Sequence, residues 1–475
     1  MTVSWSVKID WNNDDFATSH DEAAYCIDMD LQRGIDSKAL VTTSGNGFET
    51  IGPGQGTITL DNHTGRFDPN NTGGALYGKI FPGRKFKITV TYGGTTYKVM
   101  AGIIYAIPPI TDPAQKHVQL SVRGMMQKLD HNTSPVIIYR SSVTQVIASL
   151  LTQAAFPPEY IGTLDNDPQQ LSNISADVFT MQTAIDIASS ALGQFWESAD
   201  GKVNFYSRGH STMPIVAIDE DVVGKNIVRN MPWENIRNAI TVTAHIKLKN
   251  VEQIIWQNAN PIKVVYGTPV VVNAKFNYSI DVKILSCTVN SKADGSGYDW
   301  TGDVTAVITS SRGTGVYILL TNIWPTTTLY VTALTILGKP ITDLDLSQYR
   351  QDDDSIDAYG IRGFGLNNNW LQDCNHAIYF AGAILAFLKA PWQTIEIVID
   401  TRPDLQYLFD ILDTINFTSS VLGSFYGYHV GYIHHKWNTS VATNGQSVLT
   451  TVVLMPRLTD GTTIANDPEL PDVPY

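Results

Sequence analysis

Apolar and polar side chains alternate in short runs over the first 130 residues. Ser4 to Asp10 reads SWSVKID, and Thr57-Ile58-Thr59-Leu60 alternates after a Gly52–Gly56 cluster that predicts a turn. Phe86 to Tyr92 and Thr95 to Met100 alternate on either side of Gly93-Gly94. Both glycines accept positive φ, so the pattern predicts a β-hairpin. Val118 to Val122 adds a further strand, and Pro108-Pro109 with Thr111-Asp112-Pro113 breaks the pattern. The block reads as a β-barrel or sandwich.

The period changes after Ser141. Val143, Val146, Ile147, Leu150, Leu151 and Ala154 fall on one helical face, with Ser142 as N-cap and Pro157-Pro158 as a stop. A second helix is predicted over Met181–Leu192, capped by Thr180, ended by Gly193 and facing its core with Ala184, Ile185, Ala188 and Leu192. Phe195 to Ser198 and Val203 to Tyr206 flank an Asp200-Gly201 turn. A hairpin on two helices is a small α+β unit.

Strand patterns return from 237 to 345: Ala239–Thr243, Pro269–Val272, Ile280–Cys287, Val304–Thr309, Val316–Leu320 and Tyr330–Ile336. Gly and Asp turns at regular spacing give residues 250–338 the look of an inserted β-sandwich. A third helix is predicted over Leu371–Ala390, stopped by Pro391. Its stretch Ala377–Leu388, AIYFAGAILAFL, carries no charge and predicts burial around most of its circumference. Strands follow at Thr394–Ile399, Thr414–Thr418, Tyr428–His434 and Ser447–Leu454, before a Pro- and acid-containing tail, Asn466–Tyr475, expected to be loosely held. The fold class is thus mainly β with α+β elements, in several domains. Their expected bounds are 1–130, 131–236, 237–345 and 346–475.

Composition narrows the function. Basic residues number 32 against 45 acidic, a net charge of −13, which argues against a protein that grips nucleic acid through its phosphates. Three distant cysteines, Cys26, Cys287 and Cys374, with no CxxC spacing, argue against a disulfide framework and a thiolate zinc site. The start lacks a basic-then-apolar leader, and twelve apolar residues are too few to cross a bilayer. Folding in a cytoplasm without a membrane span is the expectation.

Candidate chemistry is sparse. No GxSxG, HExxH or Gly-Lys-Ser/Thr loop occurs, and Gly52-x-Gly54-x-Gly56 does not fit the dinucleotide fingerprint. Asp352-Asp353-Asp354 reads as a solvated loop rather than a cation site, because consecutive carboxylates rarely converge on one ion. Asp294, Asp299 and Asp303 miss the EF-hand spacing. His434-His435 sits on a strand, which sends the two imidazoles to opposite faces. Ten scattered tryptophans fit core packing and interface anchoring better than one sugar platform. No catalytic, cofactor-binding or metal-ligating residue is assigned, and no cofactor or enzymatic activity is expected.

The order of several loose motifs resembles tail hub (baseplate hub, tail-tip) proteins of tailed bacteriophages. Leu60-Asp61-Asn62 is followed by Gly65-Arg66-Phe67, Leu76-Tyr77-Gly78, the Pro82-Gly83-Arg84 turn and a strand reaching Gly102. Arg123-Gly124, Lys128-Leu129, Val146–Ala155, Ala184–Gly193, Ala199–Phe205, Ala377–Leu388, the strand at 394–399 and the strands ending at Pro456-Arg457 continue the match. About four-fifths of the chain is covered, and the stretch 250–338 lies outside the shared part. The resemblance implies two tail-tube-like β-barrels per subunit, placed here in 1–130 and 346–475, with the strand near 239–243 available to complete the first. It implies a homotrimer that adapts a six-fold tail tube to a three-fold tip in the virion. The tail tube or distal tail protein, tip, spike or fibre proteins and a tape measure protein would be partners, and DNA would pass through without specific binding. The alternative is a receptor- or glycan-binding tail-tip module.

Overall fold

The computed structural model describes residues 3–456 except 36–39, 43, 45–46, 108–115, 131–132, 139–140, 172–173, 211–212, 223–226, 277–278, 281–283, 313–314, 401 and 439–446. The break at Pro108-Pro109 and Thr111-Asp112-Pro113 and the tail from Asn466 fall outside the described residues. Six strands build an N-terminal lobe: β1 (Ser4–Ile9), β2 (Cys26–Gly34), β3 (Gly52–Asp61), β4 (Lys85–Tyr92), β5 (Thr95–Ala106) and β6 (His117–Gly124). They pair in the order β2-β3-β6-β5-β4-β1, and a two-residue strand, His20–Asp21, adds to the far side of β1. Alternation turns Trp5, Val7, Ile9, Phe86, Ile88, Val90, Val118, Leu120 and Val122 into one buried core. The β4–β5 turn has φ of 59° at Gly93 and 84° at Gly94, the backbone the glycine pair predicts.

The Gly52–Gly56 cluster is not a turn but the first half of β3. A Cβ on Gly56 would lie 2.2 Å from the Asp30 carbonyl oxygen, and one on Gly54 2.9 Å from Met100 Cε. The glycines serve close approach within the sheet, which turn propensity alone does not distinguish.

Helices α1 (Val143–Gln153) and α2 (Thr180–Ser190) pack with the hairpin β7 (Gln194–Glu197) and β8 (Val203–Tyr206) around their own core. Ser142 and Gln145 close α1 with a reciprocal capping box. The chain then adds two short strands, β9 (Val216–Asp219) and β10 (Ile227–Asn230). Next come β11 (Ala239–Lys249), β12 (Pro340–Gln351), α3 (Asp353–Tyr359), β13 (Gly363–Asn367) and α4 (Cys374–Leu388). The strand expected to complete the first barrel belongs to β11, which instead lies between β12 and β13 beneath α4. Its long antiparallel partner, register-matched from Ala239↔Gln351 to Lys249↔Ile341, holds it there. Only Asn375 and Ala386 of α4 are exposed.

Between β11 and β12, seven strands from Gln253 to Gly338 form a four-stranded and a three-stranded sheet around a separate apolar core. Four strands close the chain: β14 (Thr394–Ile399), β15 (Thr414–Ser419), β16 (Gly423–Asn438) and β17 (Ser447–Met455). With β9 and β10 they make a C-terminal lobe in the order β10-β14-β17-β16-β15-β9.

Numbered within each lobe by chain order, both read second-third-sixth-fifth-fourth-first. The same arrangement occurs twice. One pair differs in direction: β1 runs antiparallel to β4, whereas β9 runs parallel to β15. The lobes share a continuous curled sheet, because β2 pairs with β16 from Asp28↔Asn438 to Gly34↔Tyr432. The molecule is mainly β, with the longer helices α1, α2 and α4 in units outside the shared sheet and one short helix, Pro403–Gln406, between β14 and β15.

Candidate functional site: the junction between the lobes

The joint between β2 and β16 is the place where most units of the fold meet. Strand β16 pairs with β15 up to His429 and with β2 from Tyr432 onward. The handover falls at Gly431, where the β16–β17 register also shifts. Gly34 faces it with φ of 103°, and a Cβ there would sit 2.2 Å from the Gly431 carbonyl oxygen. Ile35 N–H donates to that same oxygen at 2.8 Å. Two glycines therefore let one strand change partners without leaving the sheet.

Polar groups fasten the joint from one side. Arg33, buried on β2, forms an ion pair with Asp410 in the segment before β15. The second oxygen of Asp410 accepts the Ala199 N–H at 2.8 Å, which ties the β7–β8 hairpin to both lobes. Asp413 accepts the Asp410 N–H at 2.6 Å. Glu197 accepts the N–H groups of Met125 and Met126 at 2.7 and 3.0 Å. These are free donors at the start of a short helical turn after β6. Gly124 leaves the space, since a Cβ would lie 2.2 Å from a Glu197 oxygen.

Burial pushes the Glu197 carboxyl up to about 8 against the pull of these N–H groups and of Arg33. Burial likewise raises Asp413 to about 6, opposed by its backbone donor and assisted by the Asp410 charge. His435 on β16 is held down to about 3 by burial, with Arg33 and His434 adding repulsion. It remains neutral and makes a 3.0 Å hydrogen bond with Thr450 Oγ1. The carboxyl groups are turned onto the protein's own backbone donors and, for Asp410, onto the Arg33 cation. That arrangement clamps elements together.

The other residues singled out from the sequence do not converge. His434 reaches Asp30 at 2.8 Å on the partly exposed face, while His435 is buried on the opposite side. Asp294 and Asp299 each accept bonds from Ser296 and Thr301 two residues on. Asp352-Asp353-Asp354 is not a loop: Asp352 caps α3 through the Ser355 N–H at 2.9 Å and pairs with Lys389 at 2.8 Å. The two following acids occupy the first helical turn, where the N-terminal dipole favours them. No group of three His, Cys, Asp or Glu suited to a metal ion occurs among the described residues. Trp5 and Trp437 pack at 5.6 Å in the N-lobe core, and Trp300 and Trp324 pair at 5.2 Å on the sandwich.

A cavity of about 550 Å³ lies where the C-terminal lobe, α2 and the α4 unit meet, lined chiefly by Ile51, Leu192, Leu366, Phe387, Leu412 and Met455. None of Glu197, Asp410, Asp413 or His435 lines it. No helix among the described residues is long and apolar enough to cross a membrane. The sequence pointed to none of the clamp residues. The available signal was a charge inside an apolar strand run, as with Glu197 after Phe195-Trp196.

No protein-family model matches the chain, and no curated protein matches it. Its structure has counterparts of similar length. The tail protein from Neisseria meningitidis MC58 gives a TM-score of 0.52 at 10% identity, over 95% of this chain and 96% of that one. The 43 kDa tail protein of prophage MuSo2 from Shewanella oneidensis gives 0.49 at 10% identity, over 96% and 98%. The fold is that of a phage tail protein.

Proposed function

We propose that the chain is a structural, non-enzymatic tail hub protein, located at the distal end of a phage tail. Three copies would form a ring around the DNA path and adapt a six-fold tail tube to a three-fold tip. The observation that carries this reading is the strand order repeated in the two lobes. One chain supplies two equivalent lobes, so three chains supply six. The tail-protein fold over nearly the whole chain supports the reading. The net charge of −13 is compatible with a path that phosphates traverse without being held. The tail tube or distal tail protein would lie on one side. Tip, spike or fibre proteins would lie on the other, and a tape measure protein would be threaded through. Residues 1–130 and 346–475, the latter completed by β9 and β10, would supply the two tube-like units, the rest of 131–236 the small α+β unit, and 250–338 an Ig-like insertion. Mass measurement of the assembled form is expected to give three copies of the 52.2 kDa chain. A chain that is monomeric inside tail particles overturns the reading.

A second reading concerns the sandwich alone. Trp324 and the strongly exposed Tyr298 lie beside Trp300 on its surface loops, an arrangement that fits a receptor or glycan contact. Cell binding that is lost on Trp324→Ala, with assembly intact, would favour it for that module.

A further inference from the structure

The sandwich has two unlike ends. At one, Gln253 pairs with Gly338 and Ile284 with Leu337, and Gly338 leads at once into β12. At the other, Val264 pairs with Leu329, Asn290 with Tyr330 and Val304 with Asn322. The strand Leu329–Gly338, ten residues long, joins the two ends and holds the second about 30 Å from the attachment. Three connections meet at that far end: 265–269, 291–303 and 323–328. Tyr266, Tyr298 and Trp324 lie one on each, and they are the exposed aromatic residues among the described residues of the sandwich. Val265 and Ile323 are exposed next to them in the chain.

Asn322 fastens these connections to one another. Its buried amide donates to the carbonyls of Val264 at 3.2 Å and Thr327 at 2.9 Å, and its side-chain oxygen accepts the Trp324 N–H at 2.8 Å. Ile323 N–H donates to the Asp303 carbonyl at 3.0 Å, which joins the third connection to the second. Trp300, half-buried against the sandwich core, meets Trp324 at 5.2 Å between ring centroids. The Trp324 ring is thus held in place before a ligand arrives, which lowers the cost of binding. Two carboxylates share this end. One oxygen of Asp294 accepts the Ser296 hydroxyl at 2.6 Å and N–H at 2.8 Å, and one oxygen of Asp299 accepts the Thr301 hydroxyl at 2.6 Å and N–H at 2.9 Å. These bonds hold both carboxyls below the usual range, so both are ionised. The second oxygen of each has no partner among the described residues.

We propose that this far end of the sandwich binds an uncharged pyranose chain. The assignment rests on the second reading above and gives that contact its chemistry. A pyranose offers an apolar C–H face to an aromatic ring and a rim of hydroxyls to acceptors. Tyr298 and Trp324 supply the rings, and the bare oxygens of Asp294 and Asp299 supply charge-assisted acceptors. Charge selects against acidic sugars, because the three connections carry Asp294, Asp299 and Asp303 against Lys292 alone. A carboxylate, sulfate or phosphate on the ligand would meet its own sign there. An apolar protein face would bury the two bare oxygens without donors, a cost that a hydroxyl-rich ligand avoids.

The test applies the full-length protein to an array of neutral hexose and N-acetylhexosamine oligomers, with sialylated and uronic-acid oligomers beside them. Retention of neutral oligomers alone is expected. Trp324→Ala and Tyr298→Ala should each weaken it about tenfold, the order that follows from losing one stacked and buried ring. Tyr298 is 81% exposed, so its replacement leaves the melting temperature unchanged and a loss of binding there is not a loss of folding. Asp294→Asn with Asp299→Asn should weaken neutral binding and admit acidic oligomers. Neutral binding that survives both ring substitutions, or equal retention of acidic oligomers by the wild type, overturns the assignment. So does a wild type that retains no oligomer while its cell binding still depends on Trp324; the receptor contact then stands with a protein as its partner. Cell binding indifferent to Trp324→Ala, with no oligomer retained, overturns both.

Discussion

The two lobes share one strand order and differ in what hangs from it. In the N-terminal lobe the chain passes from the second strand to the third through residues 35–51. In the C-terminal lobe the same step runs from Asn230 to Thr394 and contains β11 to α4 and the whole sandwich. The α+β unit lies between the lobes in sequence. A six-stranded frame thus appears once nearly bare and once heavily elaborated, with the elaboration admitted at a strand connection, where backbone outside the ladder tolerates length. The lobes also trade core residues. Tyr407, Trp437 and Val448 complete the N-terminal core, while Ile35 and Ile51 enter the C-terminal one. Neither lobe is complete without side chains from the other.

That dependence can be broken at its centre. Gly34→Val puts a Cβ against the Gly431 carbonyl at a positive φ, and β2 must leave β16 to accommodate it. We expect a loss on the order of 4 kcal/mol, seen in thermal unfolding as a large drop in Tm or as two separate transitions. A single transition at the wild-type temperature would mean that the lobes do not share this joint. Ile384→Asp tests the elaborated side only. It places a carboxylate without a partner in the α4 core, at a cost of several kcal/mol, and should abolish soluble protein or assembly. Normal assembly with unchanged thermal stability would mean that α4 is an exposed surface.

The acid response sharpens the comparison further. His435 titrates near 3 in the folded chain and near 6.5 when unfolded, so the unfolded state takes up the proton first. Its contribution to stability is present above pH 6.5 and is lost as pH falls toward 3. Glu197 and Asp413 act oppositely, their raised values favouring the folded state as pH falls from about 8 and 6 respectively toward the ordinary carboxyl range. The His435→Gln variant isolates the first effect: between pH 6.5 and 4 the wild type should lose Tm relative to the variant. Parallel curves would place His435 in contact with solvent. The smallest effect is expected from the sandwich. Replacing Asn250–Lys339 by a short turn joins β11 to β12 as a hairpin, since Lys249 and Ile341 are already paired. The remaining chain should stay soluble and melt within a few degrees of the wild type. Cooperative unfolding of the shortened chain would make those residues part of the core.

Local features were legible in the sequence. The Gly93-Gly94 hairpin, the Ser142 cap and the buried α4 depend on neighbours a few residues apart, and periodicity with turn chemistry reports such neighbours directly. The repeated lobe was not legible, because it resides in pairing order and not in shared residues, and its C-terminal copy is interrupted between Asn230 and Thr394. The clamp was hidden for a related reason: Arg33 and Asp410 stand 377 positions apart, and nothing local marks either as half of a pair. The glycines of β3 read as a turn in the sequence because a turn and a close strand contact ask for the same residue.

The joint of β2 to β16 also sets a timetable for synthesis. Strand β2 is complete at Gly34, and its partner begins at Gly423. At 5–20 residues per second, roughly 20–80 s pass on the ribosome before that partner exists. Through this interval one edge of the newborn N-terminal lobe has no mate within its own chain, and neighbouring nascent chains are the nearest alternatives. Asp28, Asp30 and Arg33 punctuate the waiting strand, and charge along an exposed edge is a recognised deterrent to wrong pairing. The residues that later fasten the lobes therefore begin their service as guards.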